Sequence, residues 1–270
     1  MNFVIALQAE AKPLIDALKM KKVSGSPPFP TFQNDRDQLV VSGIGKIASA
    51  GATGFLLGRN FTDDLASPFL NLGIAGHQSL DLESLFIADR ILAEKDKQTF
   101  YPPQLIDPKI IRSSLLTCNQ PSQKYEPDMG YDMEAHSFYI TASKWITREL
   151  VQVVKIVSDN LQNPIHAVNP SSVTKGIEKN LASILSIVEE LEALASEIRP
   201  SRKVTACKRQ ALLTQKFSQT QTHLLERLLN QAHSLKFQDA EILQCLEREK
   251  NAKNALRSIA ALIEPHRVLP

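Results

Sequence analysis

The chain has 270 residues, 43% of them hydrophobic, 22% charged and only 6% aromatic, the balance of a globular protein whose core is mainly aliphatic. No apolar run approaches the roughly 20 residues of a membrane-spanning helix. Cys118, Cys207 and Cys245 form no CxxC pair and no metal-ligand spacing, so reduced thiols and no bound metal are expected. The net charge of +2 hides an asymmetry: residues 200–270 hold 12 Lys/Arg and 6 Asp/Glu, a net +6, against 19 and 23, a net −4, in the rest.

Residues 3–7 read as a short buried strand rather than a signal peptide, and a cytoplasmic location is expected. Residues 11–20 have helical spacing, with Leu14, Ile15 and Leu18 on one face and Pro13 placed in the first turn. A second strand follows at 38–42, and then a helix of small residues at 46–57, able to lie close to a sheet. Residues 68–72 form a third strand that runs into Gly73-Ile74-Ala75-Gly76. Residues 84–93 read as a strand, and 107–116 as a short helix leading into a strand. Residues 122–130, with Pro127 and Gly130, read as a loop. Helical spacing returns at 132–145, and 150–157 is the clearest buried strand.

A loop at 163–172 precedes a strong amphipathic helix at 175–198, striped by Ile177, Leu181, Ile184, Leu185, Val188, Leu191 and Ile198. This alternation predicts an α/β domain over residues 1–198, with helices layered on a central mixed sheet. Arg199-Pro200-Ser201 mark its end. The extension, residues 199–270, has helical stretches at 205–234 and 239–263, whose leucines and isoleucines suit an antiparallel helical hairpin. Extra core or dimer packing is its expected role, and docking of a protein partner the next. Its charges are scattered and it lacks an aromatic platform, so nucleic acid is not an expected partner.

In open α/β sheets, ligands gather at the carboxyl ends of strands. Here those ends carry Gln8-Ala9-Glu10-Ala11, Gly43-Ile44-Gly45-Lys46, Gly73-Ile74-Ala75-Gly76-His77 and Ser158-Asp159-Asn160, with Glu134 in Asp132-Met133-Glu134-Ala135 at a helix start. Singly, each has an ordinary explanation. Glu10 suits the positive end of a helix and Asp159 an N-cap, while Gly43–Lys46 lacks the spacing of a nucleotide-triphosphate loop.

In this order and approximate spacing, the segments resemble the nucleoside phosphorylase/nucleosidase superfamily, and within it the methylthioadenosine/S-adenosylhomocysteine nucleosidase branch. The resemblance covers residues 1–198 and implies cleavage of the N-glycosidic bond of a purine-type nucleoside without a cofactor. It implies that Asp159, with Ser158 on the base side, assists the departing base. Met133 and Glu134 would grip the ribose, the Glu134 anion also favouring its oxocarbenium charge. Glu10 would activate the attacking water. Gly45, Lys46, Ile74, Ala75, Gly76 and Lys155 would form the nucleophile site, with Lys155 standing where relatives often have Arg. Related enzymes are dimers or larger, so a homodimer is expected.

Three features depart from the pattern. Ile74 replaces a Ser or Thr of the nucleosidases, and no Arg lies near its turn to hold phosphate as co-substrate. Water is therefore the expected nucleophile, with phosphorolysis the alternative. Residues 116–121 offer no aromatic ring to stack on a base, leaving Tyr125 as the nearest one. His77 replaces a usual Gly and reads as a supporting residue. A phosphorylase-like binding module that docks a partner through its helical tail is the alternative from another class.

Overall fold

The computed structural model describes all residues except 26, 60–66, 97, 123–124, 199–201 and 267–270. Contacts divide the chain into two compact units, Met1–Ile198 and Arg199–Pro270. The boundary tripeptide Arg199-Pro200-Ser201 lies outside the described residues.

The first unit is built on strands β1 (Asn2–Ile5), β2 (Lys21–Lys22), β3 (Thr31–Gln33), β4 (Gln38–Val41), β5 (Phe69–His77), β6 (Leu85–Ala93), β7 (Ile111–Thr117), β8 (Met129–Asp132) and β9 (Val151–Asp159). They form one mixed sheet in the order β2-β3-β4-β1-β5-β8-β7-β6-β9, and a further β5–β9 pairing closes the last five strands into a ring. The long strand β5 is the hub. It runs parallel to β1 on one side and to β9 on the other, and its final residues Gly76 and His77 pair with β8.

Alternation along the strands sorts the core onto two faces. Phe3, Ile5, Leu39, Val41, Leu70 and Leu72 point to one side, where they pack with residues of α1 (Gln8–Ala17), α4 (Pro170–Lys179) and α5 (Leu181–Ile198). Val4, Val40, Phe69, Val151 and Val153 point to the other, against α2 (Lys46–Arg59) and α3 (Ala135–Ala142). The three-layer α/β architecture expected from the sequence is present. No helix among the described residues is long and apolar enough to cross a membrane.

Local details differ from the expectation for physical reasons. Helix α1 starts at Gln8, so Pro13 sits at its sixth position instead of in the first turn. Proline cannot donate to the carbonyl four residues back; that carbonyl, on Ala9, accepts the Thr174 hydroxyl of α4 at 3.0 Å instead. The predicted helix at 175–198 is two helices broken at Asn180, whose Nδ2 donates to the carbonyls of Glu83 and Gly176. Asn169 caps α4, turning part of the expected loop into helix. The expected short helix near 107 is a turn closed by the Asp107 side chain on the Lys109 N–H.

The second unit contains α6 (Arg202–Thr214), α7 (Gln219–Ser234), α8 (Asp239–Glu247) and α9 (Ala252–Ile263). Each arm of the expected hairpin is thus a pair of helices. The breaks fall at N-cap signals inside the helical pattern: Ser218 and Gln221 form a reciprocal capping box, and Asn251 accepts the Asn254 N–H. Leu225, Leu228, Leu229, Ile242, Leu246, Leu256 and Ile259 form this unit's own core.

Candidate active site

The carboxyl ends of β1, β5 and β9, the turn before α2 and the entry to α3 surround a cavity of about 560 Å³. Glu10, Ile74, Ala75, Gly76, Met133, Glu134, Ser158 and Asp159 line it, although they come from segments far apart in sequence. Of the other predicted residues, Lys46 and Gly45 line a neighbouring pocket with Cys118 and Asn119. Lys155 lies beneath the cavity floor, 1% exposed.

Glu10 is 2% exposed, in the first turn of α1. Its Oε2 accepts the N–H of Leu7 at 2.8 Å, the helix-side half of a capping box that Leu7 has no oxygen to reciprocate. Its Oε1 accepts the N–H of Ile74 at 2.9 Å, tying α1 to β5. Burial pushes this carboxyl above its usual range, while Lys155 and the backbone N–H groups pull it partly back.

Glu134 reaches the opposite side of the floor. Its Oε1 accepts the N–H of Gly45 at 2.7 Å, at the positive end of α2. Gly45 has φ +100°, a backbone state that side-chain-bearing residues rarely adopt, and this aims its N–H at the carboxylate. Burial and then the neighbouring Asp132 push the Glu134 carboxyl up to about 7.

Asp132 has no role in the sequence reading, yet it holds this arrangement together. Its Oδ2 accepts from Lys155 Nζ at 3.0 Å and from the N–H of Ala135 at 2.8 Å, and its Oδ1 accepts the Thr117 hydroxyl at 2.7 Å. Burial would lower the Lys155 ammonium, but Asp132, Glu134 and Glu10 outweigh it and hold its pKa above the ordinary value. The signal was in the sequence: a lysine inside the most apolar strand requires a buried anion nearby.

At the other end of the cavity, Asp159 is 3% exposed and accepts hydrogen bonds from the Tyr125 and Ser158 hydroxyls. Tyr125 also packs edge-on against Tyr131, with ring centroids 5.4 Å apart. Close packing here depends on absent side chains. A Cβ on Gly73 would lie 2.9 Å from Glu10 Oε1, and one on Gly76 2.6 Å from Asp159 Oδ2. His77 is not in the cavity lining. Its Nδ1 accepts the N–H groups of Ser79 and Leu80, so Nε2 donates to Ser113 and the imidazole pins the turn after β5.

Comparison with solved structures relates this geometry to known proteins. A 5′-methylthioadenosine/S-adenosylhomocysteine nucleosidase from Neisseria meningitidis, solved with methylthio-immucillin-A, aligns over 70% of this chain and 96% of its own, with TM-score 0.53 and 18% identity. The corresponding nucleosidase of Campylobacter jejuni aligns over 70% and 98%, with TM-score 0.57 and 14% identity. The protein has the nucleosidase fold. A futalosine hydrolase from Helicobacter pylori shares it too, over 70% of this chain and 98% of its own, with TM-score 0.57 and 12% identity. No protein-family model and no curated protein sequence matches the chain.

Proposed function

We propose that residues 1–198 hydrolyse the N-glycosidic bond of a purine-type nucleoside, with Asp159 assisting the departing base. The observation that carries this reading is the convergence of Glu10, Glu134 and Asp159 on one cavity inside a nucleosidase fold. Glycosidic cleavage builds positive charge on the ribose and negative charge on the base. Glu134, held at one oxygen by Gly45, has its other oxygen for the ribose hydroxyls and faces the developing cation. Glu10 stands at the β1 end to accept a proton from the attacking water, and burial raises its proton affinity. Asp159, at the far end, donates to a base nitrogen once it carries a proton. The reading requires no cofactor.

Water is favoured over phosphate by electrostatics. No Lys or Arg is among the described residues lining the cavity, and Lys155 beneath it is already paired with Asp132. Among the described lining residues, a phosphate anion would meet the carboxylates of Glu10, Glu134 and Asp159 and no cation. A homodimer accompanies this reading, and the exposed Ile44 and Ile47 beside the cavity supply apolar surface for it. Light scattering on the purified chain tests that part.

The activity test is release of free base from a panel of adenosine-like nucleosides, with and without phosphate. Wild type is expected to release base at a rate independent of phosphate. Asp159→Asn and Glu134→Gln are expected to lose at least about 100-fold, the scale of general acid and electrostatic contributions, while remaining folded. Absence of base from every nucleoside, or unchanged rates in both variants, overturns the proposal. A second reading, a binding module, is favoured by two observations: Ile74 places no hydroxyl at the nucleophile site, and the Tyr125 hydroxyl already occupies Asp159. Tight nucleoside binding without turnover would establish it.

A further inference from the structure

Outside the cavity, the second unit brings together three side chains that the sequence keeps apart. Cys207 of α6, His233 in the last turn of α7 and Asp239 at the start of α8 place one donor atom each within 4.8 Å of one another. Cys207 is 1% exposed, at the edge of this unit's core. The corner between α7 and α8 turns through Lys236, at φ 65°, which brings Asp239 back to face His233.

The hydrogen bonding of His233 fixes one ring nitrogen and aims the other at this group. Its Nδ1 lies 2.8 Å from the Leu229 carbonyl, which can only accept. Nδ1 therefore carries the proton, and in a neutral imidazole Nε2 then presents a lone pair. That lone pair faces Asp239 Oδ1 at 2.9 Å, itself an acceptor. The contact is met either by a second proton on Nε2, as in an ordinary His–Asp ion pair, or by a metal cation bound there. Anchoring of one ring nitrogen to a backbone carbonyl, with the other aimed at the metal, is also how metal-binding histidines are commonly oriented.

We propose that Cys207, His233 and Asp239 bind a zinc ion. The mixed sulfur, nitrogen and oxygen donors suit zinc and disfavour magnesium or calcium. With bonds of about 2.0–2.3 Å, the ligand atoms of tetrahedral zinc lie about 3.3–3.6 Å apart. The set closes when the widest pair, at most 4.8 Å apart, contracts by up to about 1.2 Å and the His233–Asp239 pair opens from 2.9 Å by about 0.4 Å, both within the reach of side-chain rotation. On binding, zinc displaces the Cys207 thiol proton to solvent and forms the Zn–S bond. Asp239 is partly exposed, so water supplies the fourth ligand. The ion would tie α6 to the α7–α8 corner.

The test uses the full-length, metal-stripped protein titrated with zinc chloride by calorimetry, followed by cobalt(II) spectroscopy. The expected result is one zinc per chain, a rise in Tm, and a thiolate-to-cobalt charge-transfer band. His233→Ala and Cys207→Ser are expected to weaken zinc binding at least about 100-fold and to remove the band, a loss at or beyond that seen on disturbing a metal's outer partners. Should these buried changes unfold the unit, Asp239→Asn at the partly exposed position is expected to weaken binding at least tenfold in a folded chain. No stoichiometric zinc, or equal binding by folded variants, overturns the site.

Discussion

The floor and the wall of the cavity are built by different rules. On the floor, Glu10, Asp132 and Glu134 accept N–H groups from strand ends and helix starts, and Lys155 neutralises them from below. Their positions are therefore set by the backbone of the sheet and helices. The wall is made of side chains on connecting segments, including Ile44, Tyr125, Ile165 and Val168, and it is mostly apolar. If residues 1–198 act as the proposed hydrolase, reaction chemistry and substrate choice are encoded largely separately. Changes in the loops can retune the wall without disturbing the floor carboxylates, whereas a change on the floor disturbs several groups at once.

The largest expected effect comes from removing the cation of the floor. Lys155→Met keeps most of the volume but leaves Asp132 buried, with Glu10 and Glu134 no longer countered. Breaking a buried pair in this way costs about 3–5 kcal/mol, to be read from urea unfolding at neutral pH. A loss below about 1 kcal/mol, the range of exposed ion pairs, would mean that the floor is not an electrostatic unit.

A smaller effect is expected from the ionisation of Glu134. Its folded-state pKa is raised to about 7, so the native state holds the proton more tightly than the unfolded chain. The stability this contributes is complete below the ordinary glutamate pKa and is lost as pH rises through about 7. Glu134→Gln mimics the protonated form and should flatten this fall, leaving the variant about 1–3 kcal/mol more stable than wild type at pH 8. Urea unfolding of both proteins between pH 5 and pH 8 measures it. Parallel profiles would place Glu134 outside the coupled floor.

The same division explains what the sequence made legible. Glu10 and Asp159 stand beside strand ends that hydrophobic patterning reveals, whereas Glu134 was marked only by a helix start, and it was the family resemblance that grouped the three. Asp132 escaped notice because its partner, Lys155, is distant in sequence and was assigned through the resemblance to the nucleophile site instead. Strand β8 was hidden by Gly130, which reads as a loop residue. In the fold this glycine makes room for Phe86 and Leu115, since a Cβ there would lie 2.8 Å and 3.1 Å from their side chains. In the second unit, helical periodicity runs across the caps at Ser218 and Asn251 and suggested two helices where the described residues form four. Cys207, His233 and Asp239 follow no metal-ligand spacing because helix packing, rather than a local motif, brings them together.

The wall gives the smallest effect and the sharpest test of the comparison. In Tyr125→Phe the ring remains against Tyr131, while Asp159 loses one hydroxyl donor but keeps Ser158. The carboxylate faces the cavity, where water can replace the lost bond, so the stability change should be about 1 kcal/mol or less. Freed from the tyrosine hydroxyl, Asp159 is more accessible to a base nitrogen. Binding of free adenine should therefore tighten several-fold, with kcat changed less than KM if the protein is the proposed hydrolase. Steady-state kinetics and calorimetry with adenine separate these quantities. A large fall in kcat at constant KM would instead move Tyr125 from the wall to the floor, making its hydroxyl part of the proton path to the base rather than a cover over it.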